Sequence, residues 1–179
     1  MAEPENQSAS HRPARRDLCW VVSDGTPGME NQALGLGEAV GLPISVKRAT
    51  PPAALHALPS ALWPPLIRMQ PRLALWGEGG EDLAPPWPSL LIASGRQSIP
   101  LSLAVKRLSG NRTFTVQTQH PRIGPRHFDL VVPPYHDLLS GPNVEPIIGA
   151  PNRIAAAKIE EEAKRVAPLR AHLPLPLVA

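Results

Sequence analysis

Residues 18–48 constrain the fold more than any other stretch. Leu18-Cys19-Trp20-Val21-Val22 is a short, continuous apolar run. Runs of this length, closed by turn residues, suit a strand buried on both faces of a parallel sheet. The turn is Ser23-Asp24-Gly25-Thr26-Pro27-Gly28. From Met29 to Val40, Leu34 and Leu36 alternate with the small residues Ala33, Gly35, Gly37 and Ala39, and Gly41 follows. That pattern predicts a helix packed closely on a sheet and stopped by a C-terminal glycine. Ile44 to Arg48 supplies a second strand, so the segment reads as one strand–helix–strand unit.

The unit recurs along the chain. Leu90 to Ala93 is expected as a third strand, followed by a turn at Ser94 to Ser98 and a helix from Ile99 to Leu108. Thr113 to Thr118 is β-branched and reads as a fourth strand, Phe128 to Val132 as a fifth, and Pro146 to Ala150 as a short sixth. Asn152 is expected to cap a last helix running through Val166, with Glu160, Glu161 and Glu162 on its exposed side. Between strands two and three, Leu55 to Leu62 and Leu66 to Leu75 suggest short helices broken by Pro59, Pro64, Pro65 and Pro71. The 24 prolines gather in such connections, at 51–65 and 84–88, and so stiffen loops around a core. Alternation of strands and helices predicts an α/β, Rossmann-like, mostly parallel sheet flanked by helices, with right-handed crossovers.

Composition narrows the class further. Residues 1–16 mix acids and polar residues without an apolar core segment, so they read as a disordered tail rather than a secretory or import signal. Residues 17–170 form the expected domain, and the apolar ending at 171–179 reads as the start of a missing second domain. No stretch approaches the ~20 apolar residues of a membrane span. Cys19 is the single cysteine and sits in an apolar run, so it is expected as a buried small hydrophobe, which suits a reducing, cytoplasmic setting. A net charge of +3 with scattered cations and 4% aromatics does not point to nucleic acid. Trp20, Trp63, Trp76 and Trp87 are expected as core and loop packing, although an adaptor patch near Trp63 or Trp87 is the other reading.

In open α/β sheets, ligands bind beyond the carboxyl ends of the strands. Four turns are expected along that edge. The first is Ser23, Asp24, Gly25 and Gly28, leading into Glu30, Asn31 and Gln32, where glycines admit a close ligand and a helix start offers N–H groups. Its spacing matches neither the dinucleotide fingerprint nor the phosphate loop, and a tight turn with a helix cap explains it equally. The second is Ser94-Gly95-Arg96-Gln97, where Arg96 is suited to hold a phosphate or carboxylate; the plainer reading is a surface arginine. The third carries Gln117 and His120, the latter a possible acid or base or a structural hydrogen-bonded residue. The fourth carries His136 and Asp137 in a proline-stiffened loop. Asp24, His120 and His136 are the catalytic candidates. No compact His/Cys ligand spacing suggests a metal, and no cofactor motif is present.

These segments resemble the mitochondrial-fission "elongated mitochondria" (ELM) family. The resemblance lies in Trp20 to Gln32, in Ala93 to Arg96, in Gln117 to Arg122 with its Gln-x-x-His-Pro-Arg core, and in Phe128 to Asp137. Pro142-Asn143-Val144 and Gly149 to Arg153 complete the ordered set. It implies the N-terminal half of a two-domain protein similar to GT-B glycosyltransferases, which use nucleotide sugars. It also implies that a sugar or nucleotide sugar would be bound with the missing domain, and that this chain is inactive by itself. Plant members recruit a dynamin-related GTPase, which implies the alternative of a non-enzymatic adaptor for a protein partner.

Overall fold

A computed structural model of the protein describes residues 18–154 and 156–170. The expected tail at 1–16 and the expected second-domain start at 171–179 lie outside them. Five strands form one all-parallel sheet: β1 (Cys19–Ser23), β2 (Ile44–Arg48), β3 (Leu90–Ala93), β4 (Phe114–Gln117) and β5 (Leu130–Val131). Their order is β2-β1-β3-β4-β5. The fold is therefore α/β and Rossmann-like. Val21 sits in register between Val46 and Ile92, and Ile92 pairs with Val116. The chain leaves β1 toward β2 on one side and returns to β3 on the other. That reversal makes the β1–β3 boundary the topological switch point.

The helices are α1 (Pro27–Val40), α2 (Ala53–Ala57), α3 (Trp63–Met69), α4 (Ser98–Leu108) and α5 (Ala156–Arg170). Strand alternation divides the core between two faces. Cys19, Val21, Ile92, Val116 and Val132 cluster with Ala33 of α1. Trp20, Val22, Leu91 and Ala93 cluster on the other face with Leu55, Trp63, Ile67, Ile99 and Val105 from α2, α3 and α4. Cys19 is wholly buried, and burial pushes its thiol up to about 11, so it packs as a hydrophobe and not as a nucleophile.

Several expectations are corrected. Only Ala33 and Gly37 of the small α1 residues are buried. A Cβ at Gly37 would press on Val21 and Ile44, whereas one at Gly35 would meet the Asn152 backbone. Residues 146–150 do not form a strand. The backbone instead runs parallel beside β5 from 143 to 147, with Val131 N donating to Asn143 O and Glu145 N to Val131 O, each at 2.9 Å. Pro133, Pro134 and Pro146 remove the donors a continuous ladder needs. Asn152 does not cap the final helix: its Oδ1 accepts from Ile154 N at 2.9 Å, and α5 starts at Ala156. Trp76 is 72% exposed, so it is not core packing, while Trp63 is 1% exposed and cannot present an adaptor patch. Trp87 is half-buried and meets Trp20 edge-on at 5.9 Å.

Candidate functional site at the carboxyl edge of the sheet

The parallel register brings Ser23, Arg48, Ala93, Gln117 and Val131 to one end of the sheet. The turns that follow therefore share an edge. At the first, Ser23 is buried and its Oγ donates to Glu30 Oε2 at 3.0 Å while accepting from Gly25 N at 3.2 Å. Asp24 Oδ1 accepts from Thr26 N at 2.9 Å, a local bond that shapes the turn into α1. Gly28 faces open space, and Asn31 is exposed.

Arg48, from the end of β2, grips Glu30 with two bonds, Nε to Oε2 at 2.8 Å and Nη2 to Oε1 at 2.7 Å. The Arg48 hydrogen bond, set against partial burial and aided by the Ser23 hydroxyl, holds the Glu30 carboxyl below its usual 4.5. Asp129 behaves alike: burial alone would raise its carboxyl, but Lys106 and the Thr115 N–H and hydroxyl outweigh it, leaving it below 3.8. Carboxylates lowered on folding contribute stability above their unfolded pKa, and lose it as pH falls through the folded value. The melting temperature is therefore expected to fall on acidification below about 4.5. In Glu30→Gln that acid loss should be smaller, which thermal melts across the acid range would measure. An unchanged acid slope would show that the Glu30–Arg48 pair is not formed.

The second turn closes on the first. Ser94 Oγ donates to Met29 Sδ at 3.6 Å, and a Cβ on Gly95 would touch Met29 at 3.6 Å. Met29 thus lies across the switch-point crevice, a position that no polar motif in the sequence marks. Gly25 and Gly95 both have positive φ, +86 and +83, which glycine adopts without strain. Arg96 leans away from this crevice. Its guanidinium stacks 4.8 Å from the centre of the Trp63 ring and donates to Ser60 Oγ at 3.3 Å and Leu58 O at 3.4 Å. Gln97 is half-buried just before α4.

The third turn joins both. Gln117 is fully buried at the end of β4; its Nε2 donates to Gly95 O at 3.2 Å, and its Oε1 has no donor among the described residues. Gln119 Nε2 donates to Gln32 Oε1 at 3.2 Å, which ties the loop to α1. His120 is half-buried, and its Nδ1 accepts from Arg122 N at 2.9 Å, so the ring proton belongs on Nε2.

A family model for mitochondrial fission ELM1 matches residues 27–179. The chain belongs to the mitochondrial fission ELM1 family. Mitochondrial fission protein ELM1 of Arabidopsis thaliana is 30% identical over 176 residues, which covers 73% of this chain and 41% of that protein. The chain thus spans less than half the length of this ELM1 relative. No solved structure matches it.

In this ELM1 family member the fourth turn stands apart. His136 is exposed, its Nε2 is 3.8 Å from Asp137 Oδ1, and no described hydrogen bond links this turn to the other three. The loop is held instead by Tyr135 N donating to Ile147 O at 2.8 Å. Of the sequence candidates, Ser23, Gly25, Gln32, Ser94, Gly95 and Gln117 are thus joined through neighbouring bonds and contacts, Asp24 and His120 bond only within their own turns, and Arg96 and His136 point elsewhere. Glu30, expected beside the first turn, joins the cluster through Ser23 and Arg48, and Met29 and Arg48 complete it without having been candidates. The signal for Arg48 was an Arg closing β2, which has meaning only once β2 lies beside β1. No His/Cys/Asp/Glu group suited to a metal, and no helix long and apolar enough to cross a membrane, occurs among the described residues.

Proposed function

We propose that the β1–β3 crevice binds a sugar or nucleotide sugar, and that the chain acts as the glycosyltransferase-like N-terminal half of a two-domain ELM protein. The carrying observation is the buried Gln117 carboxamide, anchored to Gly95 and left with an acceptor that has no described donor. A buried acceptor without a donor is costly, and a ligand hydroxyl supplies one. Gly25 and Gly95 leave the backbone of these two turns without side chains, which lets a ligand approach it closely. In this reading Met29 packs on the ligand's apolar face. Asp24 and His120, from the adjoining turns, carry the proton transfer in this reading. The cofactor-like component is the nucleotide sugar itself, held chiefly by the second domain.

The test is calorimetric titration of the complete two-domain protein with a panel of nucleotide sugars. Binding is expected, and Gln117→Leu, which removes the acceptor without a described donor, should weaken it by about tenfold or more. Absence of binding across the panel would remove this reading. It would leave a second one, docking of a protein partner, which is supported by the exposed Tyr135, Leu138 and Ile148 on the loops after β5.

A further inference from the structure

A groove outside the carboxyl-edge cluster lies against α3 and α4. α4 starts at the carboxyl edge with Ser98 and runs back toward the amino edge, ending at Leu108. There the surfaces of α3, the end of α4 and the 125–127 turn enclose an open groove of about 760 Å³. Three arginines line it, Arg68, Arg107 and Arg126. All three residues are exposed, and no described acidic side chain pairs with any of them. Lys106 also reaches the groove but is neutralised by Asp129 at 2.8 Å. Among the described residues no acidic side chain lines the groove.

The lower wall is apolar, built from Pro64, Pro65, Ile67 and Leu103. Burial, then the charges of Arg126 and Lys106, hold the His127 imidazole below its usual range. It therefore enters the groove at neutral pH as an uncharged hydrogen-bonding group. Three like charges gathered without counter-charges repel one another, and folding tolerates that cost here because the groups stay solvated. The arrangement suits planar, forked recognition of phosphate oxygens above an apolar floor. We propose that this groove binds a phosphate-bearing anion, independently of the crevice at the carboxyl edge. The phosphate belongs either to a soluble organophosphate or to a lipid headgroup.

Two measurements on the 179-residue chain separate these sources. One is isothermal titration with inorganic pyrophosphate. The other is co-flotation with phosphatidylcholine vesicles prepared with and without phosphatidic acid. Binding to at least one probe is expected, with affinity falling as salt rises. Arg68→Ala and Arg126→Ala should each weaken binding by about tenfold, and the triple variant with Arg107→Ala should abolish it. Lys164→Ala, an exposed cation on α5, should leave it unchanged. Pyrophosphate binding assigns a soluble ligand, and binding only to phosphatidic-acid vesicles assigns a headgroup. No binding to either probe overturns the proposal. So does binding that survives the triple substitution, which would place the anion at the carboxyl-edge turns instead. If the triple alanine variant melts early, the triple Arg→Lys variant keeps the charge without the fork. It is expected to retain the fold and to bind more weakly than the unmodified chain; equal affinity would overturn forked recognition.

Discussion

Trp63→Ala is expected to lower the unfolding free energy by about 3–5 kcal/mol. The indole is 1% exposed, and its Nε1–H donates to Leu55 O at 2.9 Å. Its removal leaves a void between α2, α3 and α4, and costs the Leu55 carbonyl the shorter of its two donors, the Leu58 N–H remaining at 3.3 Å. Both terms destabilise, because the surrounding backbone cannot collapse fully into the space. Arg96 also loses the ring on which it stacks. Urea unfolding followed by circular dichroism gives the number directly, with an unchanged denaturant slope if the unfolded state is unaffected. Trp63→Phe keeps much of the volume and should cost about 1–3 kcal/mol, from the lost indole hydrogen bond and the smaller void. A loss below about 1 kcal/mol in the alanine variant, which is the scale of an ordinary surface change, would contradict a core role for Trp63.

Gly79→Ala is the second large effect, expected at about 2–4 kcal/mol from backbone strain and overpacking combined. Gly79 has φ +68, and a Cβ there would run into the carbonyl oxygen of Arg48. The loop around it crosses the end of β2 closely, with Thr50 N donating to Glu78 O at 2.9 Å. Neither backbone can give way without disturbing Arg48, whose guanidinium clamps Glu30 beside the crevice. Gly110 provides the internal control, since its φ is +67 but nothing lies within 4 Å of a Cβ. Gly110→Ala should therefore show conformational strain alone, about 1 kcal/mol. The difference between the two melts isolates the steric clash, and equal losses would show that the close approach to β2 carries no energy.

Much of this architecture is legible in local pattern. β2 and β3 coincide with their apolar or β-branched runs, and α1 and α4 begin and end close to their turn residues. Those signals are local, because hydrophobic period and glycine or proline punctuation act over a few residues. The segment at 143–147 misled because its pairing depends on a partner, β5, and on which of its N–H groups proline has removed. Trp76 and Trp63 carry the same residue type in the same proline-rich connection. Both α3 and the 71–76 turn pack against α4, yet the Trp63 indole is buried and bonded to Leu55 O, whereas the Trp76 indole is left in solvent.

The site divides in the same way. Residue order alone established that several glycine- and serine-bearing turns follow parallel strands, and hence that they share the carboxyl edge of one sheet. It also established the family, through motifs long enough to be specific. Tertiary structure decided which of those turns meet. Met29 reaches Gly95, Gln117 crosses to the same carbonyl and Arg48 closes on Glu30, whereas Arg96 turns back onto Trp63. These are contacts between residues far apart in the chain. Their geometry is set by strand order and register, and those are properties of the packed sheet that no local run of residues carries.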